Sequence, residues 1–216
     1  MVIKQRLFVS LFLLALLAFF SLLLLQITLQ YIPYNTDVGF LRIKQQYIHI
    51  DHWRAAFFIH VYASMWVLLA GFTQFSAGIR RQMPQVHRVM GYIYLLDILF
   101  ITGPASLVMS FYANGGLSSR IAFATLALLW LFSTAQAWRY ARARKWRLHQ
   151  DWMIRSFALT LSALTLRAWK LGIIWALAPP PMDVYRVVAW LGWVPNLLLA
   201  EYLIRRGWRR RGTLVL

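Results

Sequence analysis

Long apolar runs alternate with short polar and basic segments along this chain, and the length of the runs predicts helices that cross a membrane. A helix rises 1.5 Å per residue, so about 20 apolar residues span a hydrocarbon core of about 30 Å. Six runs reach about that length, over residues 7–29, 54–75, 89–111, 120–138, 152–175 and 184–204. The pattern predicts a single all-α domain over residues 1–216, an integral membrane bundle of six transmembrane helices.

Flanking residues and prolines set the limits of several runs. The first run follows Lys4 and Arg6, as the apolar part of a signal sequence would, but it is long enough to span a bilayer and no small-residue cleavage site follows it. We therefore interpret it as a retained helix. The prolines at 179–181 end the fifth run, and Pro104 and Pro195 predict kinks in the third and sixth runs.

The positions of the basic residues predict the orientation of the bundle. The chain has 23 lysines and arginines against six acidic residues, a net charge of +17. Most basic residues lie at the amino end, at 80–88, at 139–147 and in the tail, which all fall on one side of a six-span bundle. Cytoplasmic loops carry the excess of Lys and Arg, so we expect both termini to be cytoplasmic. This placement explains the charge without a nucleic acid, and the lipid bilayer is the expected partner.

The composition restricts the cofactors that the chain could hold. Only 13% of residues are charged, compared with about 25% in soluble domains. The chain contains no cysteine, which excludes disulfides, iron–sulfur ligation and covalent haem attachment through Cys-x-x-Cys-His. A haem in this protein would be a non-covalently bound haem b.

The histidines are the most specific functional signal. His60 lies inside the second run, on the same helical face as the small residues Ala56, Ser64 and Gly71. A histidine within a membrane span indicates ligand binding, a proton relay or a polar contact. We predict that His60 points into the bundle, where a neighbouring helix or a flat cofactor can approach closely. A simple interhelical hydrogen bond is the alternative.

Two further histidines open the third and fifth runs near the predicted cytoplasmic surface. If those two helices are neighbours, His87 and His149 could ligate one haem iron from opposite faces. Arg80, Arg88 and Arg155 would then be available for the haem propionates, because a guanidinium pairs two carboxylate oxygens in a fixed geometry. The alternative is that both histidines are interfacial residues among the basic loops.

Charged residues within the spans require partners. Arg167 lies well inside the fifth run, and the candidates for its partner are a haem propionate, a quinone carbonyl or a backbone carbonyl. Asp97 lies about 12 Å from the inner boundary of the third run, so Arg155 matches it in depth more closely than Arg167 does. We expect Glu201, near the inner end of the sixth run, to reach Arg205.

The stretch from His60 to Arg167 resembles a family of bacterial membrane proteins known only as a domain of unknown function. The resemblance implies a protein of the bacterial inner membrane and supplies no activity. It depends on four segments: His60-Val61-Tyr62-Ala63, the motif His87-Arg88-x-x-Gly91-Tyr92, the motif His149-x-x-Trp152-Met153-x-Arg155-Ser156, and Thr165-Leu166-Arg167.

A looser resemblance is to the cytochrome b561 and ferric-reductase type of multi-helix haem proteins. Those proteins use histidines on neighbouring helices to hold two b haems near opposite membrane faces. The resemblance implies an inner haem at His87 and His149. On the outer side this chain offers only His60 within a span, and a second ligand would have to come from His49 or His52, which we interpret as solvated. One haem, or none, is therefore expected.

Three functions are open at this point, and whether the protein is an enzyme is not decided. The leading hypothesis is a haem b-containing membrane electron-transfer protein with quinol or a cytoplasmic reductant as donor. In it, His87 and His149 ligate the metal, and His60 with Arg167 forms an outer cofactor or quinone site. The second is an accessory or assembly subunit of a larger membrane complex. The third is a small transporter or proton pathway through His60, Asp97 and Arg167.

Overall fold

The structure is a computed structural model that describes Ala15 and residues 18–207. All regular secondary structure in this part of the chain is helical. Its elements are α1 (Ala18–Leu29), a 3-10 helix (Gly39–Tyr47), α2 (Asp51–Phe75), α3 (Ala77–Gln82), α4 (Pro84–Asp97), a π-helix (Ile98–Thr102), α5 (Gly103–Ser110), α6 (Gly116–Arg142), α7 (Trp146–Thr160), α8 (Ser162–Leu177), α9 (Pro181–Leu191) and α10 (Val194–Arg205).

Five stretches of helix in the described residues are long and apolar enough to cross a membrane. They coincide with the second to sixth predicted runs and differ from them only at the ends, and we number them as the second to sixth spans: Asp51–Phe75, Pro84–Ser110, Gly116–Arg142, Trp146–Leu177 and Met182–Arg205. The prediction of an all-helical integral membrane protein is confirmed. The predicted first span falls largely outside the described residues, where only its end is seen as α1, so the count of six stays a prediction.

The second to fifth spans pack against one another in chain order. α2 packs along α4 and α5, α5 packs on α6, and α6 packs along α7, which also touches α2. The sixth span lies against this group, with α9 on α6 and α8, and α10 on α7. One buried cluster draws a side chain from each of the five spans: Val67, Tyr94, Trp130, Leu159 and Trp193. Large apolar side chains on the outward faces are exposed, as expected of surfaces that contact lipid.

The third span contains a π-helix where the sequence predicted a kink. The N–H of Gly103 donates to the carbonyl of Ile98, five residues earlier. Pro104 follows directly, and its ring and missing N–H oppose a regular α-helix at this point. Gly103 fits because it has no side chain: a Cβ would lie 2.2 Å from the Ile98 carbonyl oxygen and 2.5 Å from Leu131 Cδ2. The predicted irregularity at Pro104 is confirmed.

The sixth span is interrupted between α9 and α10, next to Pro195. α9 ends at Leu191, and α10 begins at Val194. The carbonyl of Gly192 accepts hydrogen bonds from Thr165 Oγ1 at 2.5 Å and from Asn196 Nδ2 at 3.3 Å. Backbone carbonyls that lose their intrahelical hydrogen bond inside a membrane need other hydrogen-bond donors. The predicted irregularity at Pro195 is therefore confirmed.

The polar segment between α1 and α2 folds over the end of the bundle opposite the basic 80–88 and 139–147 segments, which we call the outer end. The Tyr31 hydroxyl accepts a hydrogen bond from the N–H of Phe40 at 2.9 Å, and Tyr62 donates to the carbonyl of Tyr31 at 2.6 Å. Lys44, on the 3-10 helix, is buried and donates to the carbonyl of Tyr112, just beyond α5. These contacts fix a cap of aromatic and cationic side chains above the second and third spans.

Candidate functional site

His60 lies on the outer side of the bundle and contacts the third span. Its Nδ1 lies 2.8 Å from Ser106 Oγ, and Ser106 Oγ donates to the carbonyl of Thr102 at 2.7 Å. A serine has one hydroxyl hydrogen, so Ser106 accepts its second bond from the Nδ1–H of His60. The lone pair of His60 is therefore on Nε2. The prediction that His60 faces the bundle is confirmed, and its Nδ1 makes the interhelical hydrogen bond that was the alternative.

Four more side chains are linked to His60 through a series of contacts and electrostatic interactions. The guanidinium of Arg167 lies within electrostatic range of both His60 and Tyr31. Tyr185 lies within the same range of Tyr31, and its hydroxyl is 3.5 Å from Lys170 Nζ. The Lys170 ammonium also sits 4.9 Å from the centroid of the Tyr185 ring. We call these five residues the outer cluster: Tyr31, His60, Arg167, Lys170 and Tyr185.

The phenol of Tyr31 is held in its neutral form. Burial raises its pKa above the ordinary value of 10.0. The hydrogen bond from the N–H of Phe40 and the positive charge of Arg167 act in the opposite direction, and Tyr185 adds a smaller increase. Tyr31 therefore contributes hydrogen bonding to the outer cluster and no charge at neutral pH.

Arg167 has no carboxylate partner. Its one hydrogen bond runs from Nη1 to the carbonyl of Ala163, 2.5 Å away and one turn earlier. The backbone carbonyl, one of its three predicted partners, is thus confirmed, but a guanidinium has five donors. None of the chain's six acidic residues, all of which the structure describes, lies within ion-pair distance of Arg167. Three are paired on the outer side, as Asp37–Arg42, Asp51–Arg54 and Asp183–Arg186.

The two acidic residues discussed from the sequence bind other partners than expected. Arg155 donates from Nε and Nη2 to the carboxylate of Glu201, at 2.5 and 3.0 Å. Asp97 accepts a hydrogen bond from the hydroxyl of Thr102. The suggested match of Asp97 with Arg155 was wrong. Arg205 lies within electrostatic range of Glu201, as expected, but the direct ion pair of Glu201 is with Arg155. The third span begins at Pro84, which places Asp97 about 20 Å along it, and Arg155 lies about 14 Å along the fifth span from Trp146.

The two inner histidines lie near each other, as the sequence suggested. His87 and His149 are within electrostatic range. The third and fifth spans meet through the Tyr94 hydroxyl, which lies 2.8 Å from both Ser156 Oγ and Thr160 Oγ1. The condition that these two helices be neighbours is therefore met.

The ring nitrogens of this pair suit metal ligation. His149 Nδ1 lies 2.8 Å from the carbonyl of Ala137 and donates to it, which places the lone pair on Nε2. His87 Nδ1 is buried and has no hydrogen-bond partner. A ligating histidine needs one unprotonated nitrogen and commonly holds the other against a backbone carbonyl. His149 shows that arrangement, and His87 offers a nitrogen that nothing in the described chain satisfies.

Three arginines surround the inner pair at different distances. Arg80 lies within electrostatic range of His87. Arg88 is exposed and donates to the carbonyl of Pro84 at 3.4 Å. Arg155 is engaged by Glu201 through two of its three nitrogens and stacks 4.5 Å from the Trp152 ring. Of these three arginines, Arg80 and Arg88 are therefore more available than Arg155 to bind an anionic group.

The predicted site residues form two sites rather than one. His60 contacts Ser106, which is 19 residues beyond His87 along the third span, or about 28 Å along the helix. The described residues contain no group of three or more His, Cys, Asp or Glu side chains that could hold a metal ion. Any metal ligation by histidine therefore involves the inner pair or His60, but not all three together.

Sequence reasoning missed several residues that complete these sites. Lys170 follows Arg167 by three residues and shares its helical face, so periodicity alone could have found it. Tyr31 and Tyr185 carry no signal in the sequence, because only the folding of the cap and the packing of the sixth span bring them beside the fifth span. Tyr94 was also missed, although it joins the third and fifth spans at the centre of the bundle.

Comparison with known proteins places the chain in a family without a described activity. No curated protein and no solved structure matches it. A family model matches residues 57–204, which is more than half of the chain and includes most of every described span. The chain belongs to the family described as "Predicted membrane protein (DUF2306)", which confirms the resemblance to an uncharacterised family of multi-span membrane proteins.

Proposed function

We propose that this protein is a haem b-containing electron-transfer protein of the bacterial inner membrane, with His87 and His149 as axial ligands of one haem. When bound, haem b supplies reversible one-electron redox chemistry. The proposal includes six spans with both termini cytoplasmic, so that the inner pair of histidines lies at the cytoplasmic face. It is the arrangement that the resemblance to b561-type proteins implies for one of their two haems.

The observation that carries the proposal is the convergence of two imidazoles from the third and fifth spans. His149 is oriented by the carbonyl of Ala137, and the buried Nδ1 of His87 has no partner in the protein. An unsatisfied buried nitrogen is costly unless a ligand occupies it. The donor set fits haem iron, which accepts two imidazole nitrogens from separate helices.

In this proposal the basic residues around the pair of histidines bind the haem propionates. Arg80 and Arg88 would pair with them, because neither takes part in an ion pair with any of the chain's carboxylates. Arg155 keeps only Nη1 for the same purpose. The bidentate geometry of a guanidinium also orients the carboxylates that it binds.

The separation between the two sites restricts the electron donor. The outer cluster lies about 28 Å from His87 along the third span, which is too far for a direct electron step between the sites. Electrons therefore enter at the cytoplasmic face, from a cytoplasmic reductant or from quinol in the inner leaflet. His60 and Arg167 form a separate outer ligand site in this scheme, for a cofactor, a quinone or another molecule.

A difference spectrum of the purified protein tests the proposal. The protein is expressed with haem supplied, and the dithionite-reduced minus oxidised spectrum is recorded. We expect sharp α and Soret bands that are lost in His87→Ala and in His149→Ala. His52→Ala, which removes an exposed histidine on the outer cap, is the matched control and should keep the bands. Bands that survive both inner substitutions, or a colourless wild-type protein, would contradict the proposal.

A further inference from the structure

We propose that the outer cluster binds a phosphate-class anion, with Arg167 and Lys170 as its charge partners. The anion is either a small phosphate monoester from the outer solution or the phosphate headgroup of an acidic lipid. This inference names the ligand of the outer site in the proposed function. It does not depend on haem at the inner pair of histidines.

The argument begins with the missing negative charge. A cation within a membrane protein is paired with a carboxylate, a backbone carbonyl or a ligand. All six acidic residues of the chain are in the described part, and none lies within 4.0 Å of a nitrogen of Arg167 or Lys170. Among the described residues, Arg167 uses one donor on Ala163, and Lys170 contacts the Tyr185 phenol. This part of the chain therefore supplies two positive charges on one helical face and no carboxylate within ion-pair distance of them.

A second pair of cations adds to the positive charge of the outer side. Lys44 is buried in the cap, and within the described part of the chain its ammonium contacts the carbonyl of Tyr112 and two aromatic rings. Arg120 lies within electrostatic range of Lys44. The arginines that do have carboxylates on this side, Arg42, Arg54 and Arg186, are paired with residues close to them in sequence. Lys44 and Arg120 therefore add positive charge to this side of the bundle, and neither has an ion-pair partner among the described residues.

The neutral residues of the cluster suit the same ligand. His60 presents an unprotonated Nε2, because its Nδ1–H is given to Ser106. A phosphate that keeps one proton can donate it to this nitrogen while its other oxygens accept from Arg167 and Lys170. The Tyr185 hydroxyl, 3.5 Å from Lys170, can donate to a further oxygen. The site therefore combines three donors with one acceptor, which matches a protonated phosphate.

A quinone fits these charges less well. Its carbonyl oxygens are neutral, so its binding would leave Arg167 and Lys170 as two uncompensated charges within the protein. Only an anionic ligand removes that cost. Quinone binding is accordingly the outcome that the experiment below must separate from anion binding.

The experiment measures ligand binding to the purified full-length protein in detergent and in nanodiscs. Inorganic phosphate is titrated by calorimetry, phosphatidylglycerol is compared with phosphatidylcholine in the nanodiscs by thermal stability, and decyl-ubiquinone is titrated in parallel. The variants are Arg167→Gln, Arg167→Lys and Lys170→Gln. Arg42→Gln removes an exposed outer arginine that is paired with Asp37, and it serves as the matched control.

We expect Arg167→Gln to weaken phosphate binding by about 10- to 100-fold, because hydrogen bonds to charged groups contribute on that scale. Arg167→Lys should lose less affinity, and Arg42→Gln none. Phosphate binding that depends on Arg167 supports a small phosphate ester. Stabilisation only by phosphatidylglycerol, with the same dependence, supports a lipid headgroup. The inference would be overturned if phosphate binding and stabilisation by phosphatidylglycerol were the same in the Arg167 and Lys170 variants as in the wild type. It would also be overturned if decyl-ubiquinone were the one ligand whose binding depends on Arg167.

Haem content distinguishes a failure of the anion-binding inference from a failure of the proposed electron-transfer function. The inner pair lies about 28 Å away, so Arg167→Gln should leave any haem bands unchanged. Loss of anion binding with intact bands confines the effect to the outer site. Anion binding in a protein that lacks haem supports the outer site and rejects only the electron-transfer proposal.

Discussion

Lys44 provides the sharpest test of the outer cap, because the free-energy cost of burying its charged ammonium can be calculated from its pKa. Burial, together with the positive charge of Arg120, lowers the pKa of Lys44 from its ordinary value of 10.5 to about 8. Between these two pH values the unfolded chain binds more protons at this position than the folded protein does. Stability should therefore rise with pH from about 8 towards 10.5.

The size of this change follows from the two pKa values. Raising the pH from 7 to 10 should increase the free energy of unfolding by about 2.5 kcal/mol through Lys44 alone. Lys44→Met fills a similar volume without charge, so it should remove this dependence and stabilise the protein at pH 7. The raised pKa of Tyr31 acts with the opposite sign above pH 10, and it cancels when the variant is subtracted from the wild-type protein.

The assay is reversible unfolding in detergent micelles, followed by tryptophan fluorescence at several pH values from 7 to 10. The difference between wild type and Lys44→Met gives the contribution of Lys44. Lys145→Met, at an exposed lysine of the inner loop, is the matched control and should follow the wild-type profile. A Lys44→Met profile parallel to that of the wild type would refute the reasoning, because it would mean that the ammonium is solvated.

Three further predictions concern contacts within the spans. Arg155→Ala should lower the free energy of unfolding by about 3 kcal/mol, because it leaves the Glu201 carboxylate without its partner. In a double-mutant cycle, replacing Arg155 by Met and Glu201 by Leu together should restore most of that stability. Tyr94→Phe should lower stability by about 1 kcal/mol in thermal unfolding, because it leaves two buried hydroxyls with one fewer bond. Gly103→Ala should destabilise the protein strongly because its Cβ has no room, while Gly172→Ala, with nothing within 4 Å, should be neutral or stabilising; equal effects would contradict the packing described here.

The apolar runs located the second to sixth spans because the bilayer imposes one length on every crossing helix. The ends were less predictable. Helix α4 begins at Pro84, before the apolar run, because proline suits the first turn of a helix and the polar residues that follow lie at the membrane surface. This shift places Asp97 about 8 Å deeper than the sequence indicated, but the fifth span also begins earlier, at Trp146, so Arg155 lies deeper by a similar amount. Depth therefore does not separate the two residues, and the partner that Arg155 takes instead is Glu201.

The partners of the polar residues could be predicted only in part. His60, Arg167, His87 and His149 stood out because histidine and arginine are costly in a membrane, and the structure brings the two inner histidines near each other. Their neighbours did not stand out, since tyrosine and threonine are ordinary membrane residues. Thr102 is a clear example: it reaches Asp97 from five residues away, which a π-helix permits and an α-helical repeat does not suggest.

The central claim is that one haem b lies between the inner histidines, and the haem-to-protein ratio tests it most directly. The wild-type protein, purified with haem supplied, is analysed for haem b by the pyridine haemochrome method together with quantitative amino-acid analysis. We predict one haem b per chain, none in His87→Ala or His149→Ala, and one in His60→Ala. A wild-type ratio near zero, or a ratio that the two inner substitutions leave unchanged, would contradict the account.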